Sequence, residues 1–323
     1  MEPIRNVALL GKGLLGSAVL EQLVNTGFQV TVLSRTASSA DGPPSSVRTV
    51  QVDYASIDSL IAALQGQDAV VSTVGTPGIS AQKTVIDASI QAGVRRFIPS
   101  DFGALTTRPG AESLPLNALW IDIQNYLKEK ALSGQIEYTL FAVGPFLEFV
   151  MSMPFLIDLQ TQTTVPLYDH GVHTFSSTSV SSVGKAIAGA LKNAAATKDR
   201  MVSVHDIVLT QNKVLNLAKK YSGPDVKWIE SPVDAAAELE AILENTKQGD
   251  LDLFKTLALL KAALLGGKYE AEFKILDNDL VGVRVLSDDE FEKIFATAFK
   301  PSQMFALEDL KSNVEGIQGE AEQ

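Results

Sequence analysis

An apolar run, Val7-Ala8-Leu9-Leu10, leads directly into Gly11-Lys12-Gly13-Leu14-Leu15-Gly16. Three glycines in G-x-G-x-x-G spacing after a strand-like run leave few folds open. The first glycine makes a tight turn, the second lets a pyrophosphate come up to the backbone, and the third lets helix and strand pack closely. Residues 6–10 read as a strand, 14–26 as a helix stopped by Gly27, and 28–33 as a second strand. That is one β-α-β unit of the length this motif requires. The helix start offers unpaired N–H groups and the positive end of its dipole, which makes Gly11, Lys12, Gly13, Leu14, Leu15 and Gly16 candidate phosphate-binding residues.

The end of the second strand selects the cofactor. NAD-binding units place an acidic residue there, about 20 residues past the glycines, to hold the ribose hydroxyls. This chain has Ser34-Arg35-Thr36 instead. A carboxylate would repel a 2′-phosphate, whereas a guanidinium pairs with it through two hydrogen bonds. Ser34 and Arg35, with Lys12 as a second cation inside the turn, therefore point to NADP(H) over NAD(H). The alternative for both cations is a solvated surface position.

At 323 residues, 46% hydrophobic and 20% charged, the chain has the makings of an ordinary globular enzyme with a large core. A net charge of −11 leaves no excess of cations for nucleic-acid phosphates and no attraction to an anionic membrane. With no cysteine, disulfides, thiolate catalysis and Cys-ligated zinc are excluded. His170 and His173 sit in a turn-like polar stretch, which reads as a loop or a substrate-facing histidine, not a metal site. No apolar stretch approaches the roughly 18–20 residues that span a bilayer. The apolar N-terminus is interrupted by Lys12 and by glycines, so it reads as strand and turn, not as a secretory signal. A cytoplasmic monomer or homodimer acting on a hydrophobic small molecule is the expectation.

Along the first half, strands at 49–52, 69–73, 96–99 and 137–143 alternate with helices at 56–66, 81–92 and 115–132. Repeated β-α-β units give a parallel sheet with helices on both faces, and ligands at the carboxyl ends of its strands. The second half is less regular: strands at 172–176 and 201–207, helices at 183–191, 211–220, 233–245, 251–265 and 287–299, and a polar tail after 309. The expected fold is α/β, a Rossmann doubly wound parallel sheet in residues 1–150. A smaller, mostly C-terminal substrate domain follows in 151–323, with segments near 172–210 packing back onto the sheet.

Together with the glycine turn and Ser34-Arg35, the segments Val94-Arg95-Arg96-Phe97-Ile98-Pro99-Ser100-Asp101-Phe102-Gly103 and Val143-Gly144-Pro145-Phe146 resemble the NmrA-like and isoflavone-reductase-like group. This is an atypical branch of the short-chain dehydrogenase/reductases. The string R-F-I-P-S-[DE]-F-G is its most specific mark, and the resemblance runs over nearly the whole chain, in a style similar to fungal members. It implies an NADPH-binding Rossmann domain closed by a smaller domain over a hydrophobic substrate. Active members reduce aromatic or other specialised metabolites; some members bind the dinucleotide without turning it over. By position, the resemblance puts Asp53 near the adenine and Val74 and Gly75 along the cofactor. Val143, Gly144 and Phe146 would border the nicotinamide.

One departure stands out. Active reductases of this group carry a catalytic lysine on the helix after the P-S-[DE]-F-G loop, and alignment through Leu114-Pro115 and Gln124-Asn125-Tyr126-Leu127 puts Trp120 there. An indole N–H only donates and exchanges no proton at neutral pH. Trp120 can stack on a flat substrate, or it can belong to a core stripe with Leu116, Ile123 and Leu127. Asp101, His170 and His173 are the other candidate catalytic groups, with a turn cap as the alternative for Asp101. Phe102, Trp120, Phe146, Phe149, Met153 and Tyr168 are the candidate substrate pocket. The expected reaction is hydride transfer to or from a C=C, C=N or C=O group, with a redox sensor or a cyclase/isomerase on the same fold as alternatives.

Overall fold

The computed structural model describes residues 2–36, 46–152, 156–157, 164–246 and 252–299. In chain order its strands are β1 (Asn6–Leu10), β2 (Gln29–Ser34), β3 (Val47–Gln51), β4 (Ala69–Ser72), β5 (Arg96–Ile98), β6 (Glu137–Ala142), β7 (Thr164–Tyr168), β8 (Phe175–Ser177), β9 (Arg200–Ser203), β10 (Ile207–Leu209) and β11 (Ile229–Val233). The α-helices are α1 (Leu14–Asn25), α2 (Ile57–Leu64), α3 (Gln82–Gln91), α4 (Ala118–Leu132), α5 (Leu147–Ser152) and α6 (Val180–Lys192). They continue with α7 (Gln211–Tyr221), α8 (Ala235–Thr246), α9 (Leu253–Leu265), α10 (Asn278–Val281) and α11 (Asp288–Ala298).

Seven strands form one parallel sheet in the order β3-β2-β1-β4-β5-β6-β9. Such a sheet is covered on both faces, so its strands read as apolar runs without polar alternation. Val7 and Leu9 of β1 face α1 and α6, packing with Leu23, Val183 and Ile187. Ala8 and Leu10 face α2, α3 and α4, packing with Leu60, Ile86, Ile123 and Leu127. Because β2 and β4 flank β1, strand order reverses at β1, the switch point where ligands of such sheets bind. A third core lies apart from the sheet, built from Leu105, Ala111 and Leu114 with α5, β7, β10, α7, α8, α9 and α11.

The amino edge of the sheet is tied from inside. Arg96, fully buried at the start of β5, donates to Thr139 at 2.9 Å, Thr197 at 3.3 Å, Glu137 at 2.8 Å and the Ala194 carbonyl at 2.7 Å. Burial pushes the Glu137 carboxyl up, but hydrogen bonds from Arg96 and Lys198 outweigh it and hold the group below the usual carboxylate range.

The structure departs from the sequence reading in several places. The single strand expected at 201–207 is two, because the side chain of Asn278 brackets the His205 backbone, accepting from its N–H at 3.2 Å and donating to its carbonyl at 2.8 Å. The chain there leaves the large sheet, and β10 pairs antiparallel with β8. The strand expected at 172–176 starts later, because Asp169–Gly171 forms a turn with His170 at φ 62°. The helix expected from 115 opens with a tighter 3-10 turn, Pro115–Asn117, before α4 begins. Strands β7 and β11, which pair in parallel, were not expected at all. Among the described residues no helix is long and apolar enough to cross a membrane.

Candidate functional site

The carboxyl edge of the sheet holds the glycine turn. Gly11 has φ 86°, and a Cβ there would lie 2.8 Å from the Thr73 carbonyl oxygen. At Gly16 a Cβ would lie 2.2 Å from the Gly11 carbonyl oxygen, so neither position admits a side chain. Gly13 is different: a Cβ there meets nothing within 4 Å, and the residue faces open space. It is also the N-cap of α1, with no side-chain hydrogen bond and no acidic residue in the first turn. The first N–H groups of the helix are thus left for a ligand. Lys12 and Leu14 are exposed beside them. Thr73, which the sequence reading passed over, clamps this turn. Its hydroxyl donates to the Leu10 carbonyl at 2.8 Å and the Gly11 carbonyl at 3.0 Å. No sequence pattern marks it; only the position after β4 does.

Beyond the end of β2 lies a cleft of about 530 Å³ lined by Arg35, Gln51, Val52, Asp53, Tyr54 and Ala55. The Gln51 amide donates to the Arg35 carbonyl at 3.1 Å, fixing the backbone that carries the guanidinium. Ser34 accepts from the Thr36 N–H at 3.2 Å, and Asp53 accepts from the Ala55 N–H at 2.9 Å. Tyr54 donates to the Leu33 carbonyl at 3.2 Å; burial pushes its phenol up, against the opposing pull of the Arg35 charge. Gln51 and Tyr54 are further lining residues that the motif did not name.

The loops after β4, β5 and β6 form the rest of the mouth. Val74 accepts from the Ser100 hydroxyl at 2.7 Å, and Gly75 follows it into a short 3-10 turn. The 143–146 loop is stitched to β8. Thr178 donates to the Val143 carbonyl at 2.5 Å, Ser177 to the Pro145 carbonyl at 2.8 Å, and Phe146 bridges Thr178. A Cβ at Gly144 would lie 2.0 Å from the Ser176 carbonyl oxygen. The Phe146 and Phe149 rings are 5.5 Å apart, Phe149 exposed, and Phe102 lies 6.1 Å from Phe141. Trp120 is half-buried on the cluster that also takes Val74, Ile123 and Leu127. Met153 lies outside the described residues.

Four of the sequence candidates are placed otherwise than expected. Asp101 is no open-mouthed acid. It is 2% exposed, accepting from Thr106 at 2.6 Å on one oxygen and from Gln124 at 2.5 Å on the other. Burial pushes its carboxyl up, while these hydrogen bonds and the Gly103 N–H pull the other way. Tyr168 is turned into the third core, 4% exposed, with its hydroxyl donating to Glu238 at 2.9 Å instead of lining an open pocket. His173 pairs with Asp169 at 3.3 Å and lies against Gly267, and the His170 carbonyl accepts from Asn212 at 2.6 Å. These partners belong to the third core, not to the carboxyl edge of the sheet.

A switch-point sheet with a bare glycine turn beside an Arg35-lined cleft defines a Rossmann-type α/β protein. The NmrA-like family model matches residues 6–261, and the chain belongs to that family. It is 33% identical to Oxidoreductase aprR of Aspergillus flavus over 272 residues, covering 81% of this chain and 88% of that protein. Oxidoreductase poxI of Penicillium oxalicum is 27% identical over 304 residues, covering 89% of this chain and 92% of that one. Among solved structures, AtPrR2 with NADP+ and (+)pinoresinol superposes with a TM-score of 0.72 at 22% identity, covering 91% of this chain and 99% of that one.

Proposed function

We propose that this chain is an NADP(H)-dependent oxidoreductase acting on a hydrophobic, aromatic or alkaloid-like metabolite of specialised metabolism in the cytoplasm. The observation that carries this reading is the open face of Gly13 at an uncapped helix start, beside an Arg35-lined cleft. Relatives named oxidoreductases and a related fold solved with NADP+ support it. The residues present fit the cofactor: a Cβ would fill the space above Gly13, and the donors around it include no competing carboxylate in the first turn.

Gly11–Gly16 and the α1 N–H groups would hold the pyrophosphate, Arg35 with Ser34 and Lys12 the 2′-phosphate, and Asp53 would lie by the adenine. Val74, Gly75, Val143, Gly144 and Phe146 would border the nicotinamide, which supplies hydride chemistry when bound. Phe102, Trp120, Phe146 and Phe149 exclude water and orient a flat substrate, so positioning and a dry site contribute most of the acceleration. Asp101, buried with a hydrogen bond on each oxygen, is assigned no proton transfer. A substrate that already bears positive charge, such as an iminium, needs none from the protein. Net consumption of NADPH with an aromatic iminium or enone supports this reading. Tight NADPH binding with no turnover of either would favour a second reading, a dinucleotide sensor, to which Trp120 at the lysine position lends weight. A product of unchanged oxidation level would point to a cyclase or isomerase.

A further inference from the structure

Ser100 and Asp101 stand next to each other in the sequence but bind in opposite directions. The Ser100 hydroxyl donates to the Val74 carbonyl at 2.7 Å, and its N–H donates to the Gln82 side chain of α3 at 2.8 Å. Asp101 faces the other way, accepting from Thr106 and, 23 residues on, from Gln124 of α4. Gln124 also donates to the Thr106 carbonyl at 3.3 Å, and its oxygen accepts from Lys128 at 3.5 Å. Gly103 closes the knot, since a Cβ there would lie 2.4 Å from the Thr106 hydroxyl and 3.2 Å from Asp101. Ser100, Asp101, Thr106 and Gln124 are all buried. Two adjacent residues thus join the loop after β4 to the helix that carries Trp120, which lies one turn before Gln124.

We propose that Ser100 and Asp101 are positioning residues: they form a latch that holds Val74 and Trp120 at a fixed separation across the mouth of the sheet. Asp101 acts through Gln124 and Thr106 and touches neither cofactor nor substrate. Its burial supports this, because a buried charge left without its donors is costly, so the network opens as a unit or not at all. Ser100 does the same for Val74. The inference deepens the oxidoreductase reading, on which the importance of the Val74–Trp120 separation rests.

The chain has two tryptophans, so Trp228→Phe leaves Trp120 as the single reporter. In that background Gln124→Leu and Thr106→Val each break one strut, and Asp101→Asn removes the buried charge itself. The expected result is acrylamide quenching of Trp120 raised about 2-fold or more as α4 loosens, with NADPH affinity within about 2-fold of the parent. With a turned-over substrate, kcat falls about 10- to 100-fold while the pH profile keeps its shape. Folding of each variant is checked by its thermal transition, and if one fails the other reads the latch. Unchanged quenching in a folded variant that still binds NADPH overturns the latch alone. Absence of NADPH binding by the parent overturns the functional reading and, with it, the purpose assigned to the latch.

Discussion

Helices α1 and α6 pack side by side on one face of the sheet, and their first turns are finished in opposite ways. At α6 the protein closes the helix start with its own side chains. Ser179 caps the Ser182 N–H, Asp206 accepts from the Ser179 N–H at 2.9 Å, and Glu148 accepts from the Val180 N–H at 3.1 Å. Burial pushes the Glu148 carboxyl up, and the Asp206 charge pushes it the same way. At α1 there is a glycine, no cap and open space. Helix starts leave several N–H groups without intrahelical partners, and these must be satisfied somehow. One helix start is closed by carboxylates from α5 and from the turn before β10; the other has no side-chain cap. The bare start is informative because its neighbour shows how this chain seals one.

The contrast breaks most sharply if α1 is sealed like α6. Gly13 sits at φ −77° with room for a side chain, so Gly13→Asp should fold, and should gain about a few tenths of a kcal/mol of stability from the new cap. The same carboxylate should cost about 100-fold or more in NADPH affinity by repelling the pyrophosphate. Parental affinity in a calorimetric titration would refute the phosphate assignment. Next in size, Arg35→Ser should weaken NADPH about 30-fold, as expected for roughly 2 kcal/mol of charge-assisted hydrogen bonding, and leave NADH unchanged. Equal losses for both cofactors would remove the 2′-phosphate from that cleft.

A smaller effect sharpens the comparison at the sealed side. The Ser176 hydroxyl hydrogen-bonds His205 Nδ1 at 2.8 Å and accepts from the Phe273 N–H at 2.9 Å. Burial holds His205 below its ordinary value, against the charges of Glu272 and Asp206. With the folded value depressed, this contribution to stability is complete above the ordinary histidine range and is lost as pH falls through the folded value. Thermal midpoints should fall on acidification below about pH 6.5, and less steeply in His205→Asn; equal slopes would refute this. Smallest of all, Lys261 is half-buried on α9, and desolvation lowers its pKa against the pull of Glu238. Lys261→Met should therefore raise the midpoint by about 2 °C, for roughly 1 kcal/mol relieved. A lowered midpoint would show that the ammonium makes a favourable contact.

The crossover at β1, α1 and β2 was legible because it is local. Glycine spacing, apolar runs and the absence of an acid at Arg35 are all properties of neighbouring residues. Helix α11 was legible for the same reason, its Ser287–Glu290 capping box lying within one turn. The role of Asp101 was not, because whether that carboxylate meets solvent or Gln124 is decided by how α4 lands on the loop. The same holds for β7 and β11, short proline-containing segments far apart in the chain that only tertiary pairing turns into strands. Thr73 was silent because a threonine after a strand has no signature until the glycine turn folds against it.

The Arg96 knot has a consequence for how this fold changes over time. It ties β5, β6 and the segment after α6 together at the edge of the sheet remote from the mouth. Foundations fastened at that rim do not depend on which side chains crowd the opposite one. Substitutions that retune selectivity can accumulate there while the scaffold still assembles. The lineage is thereby free to experiment with new chemistry on an unchanged frame.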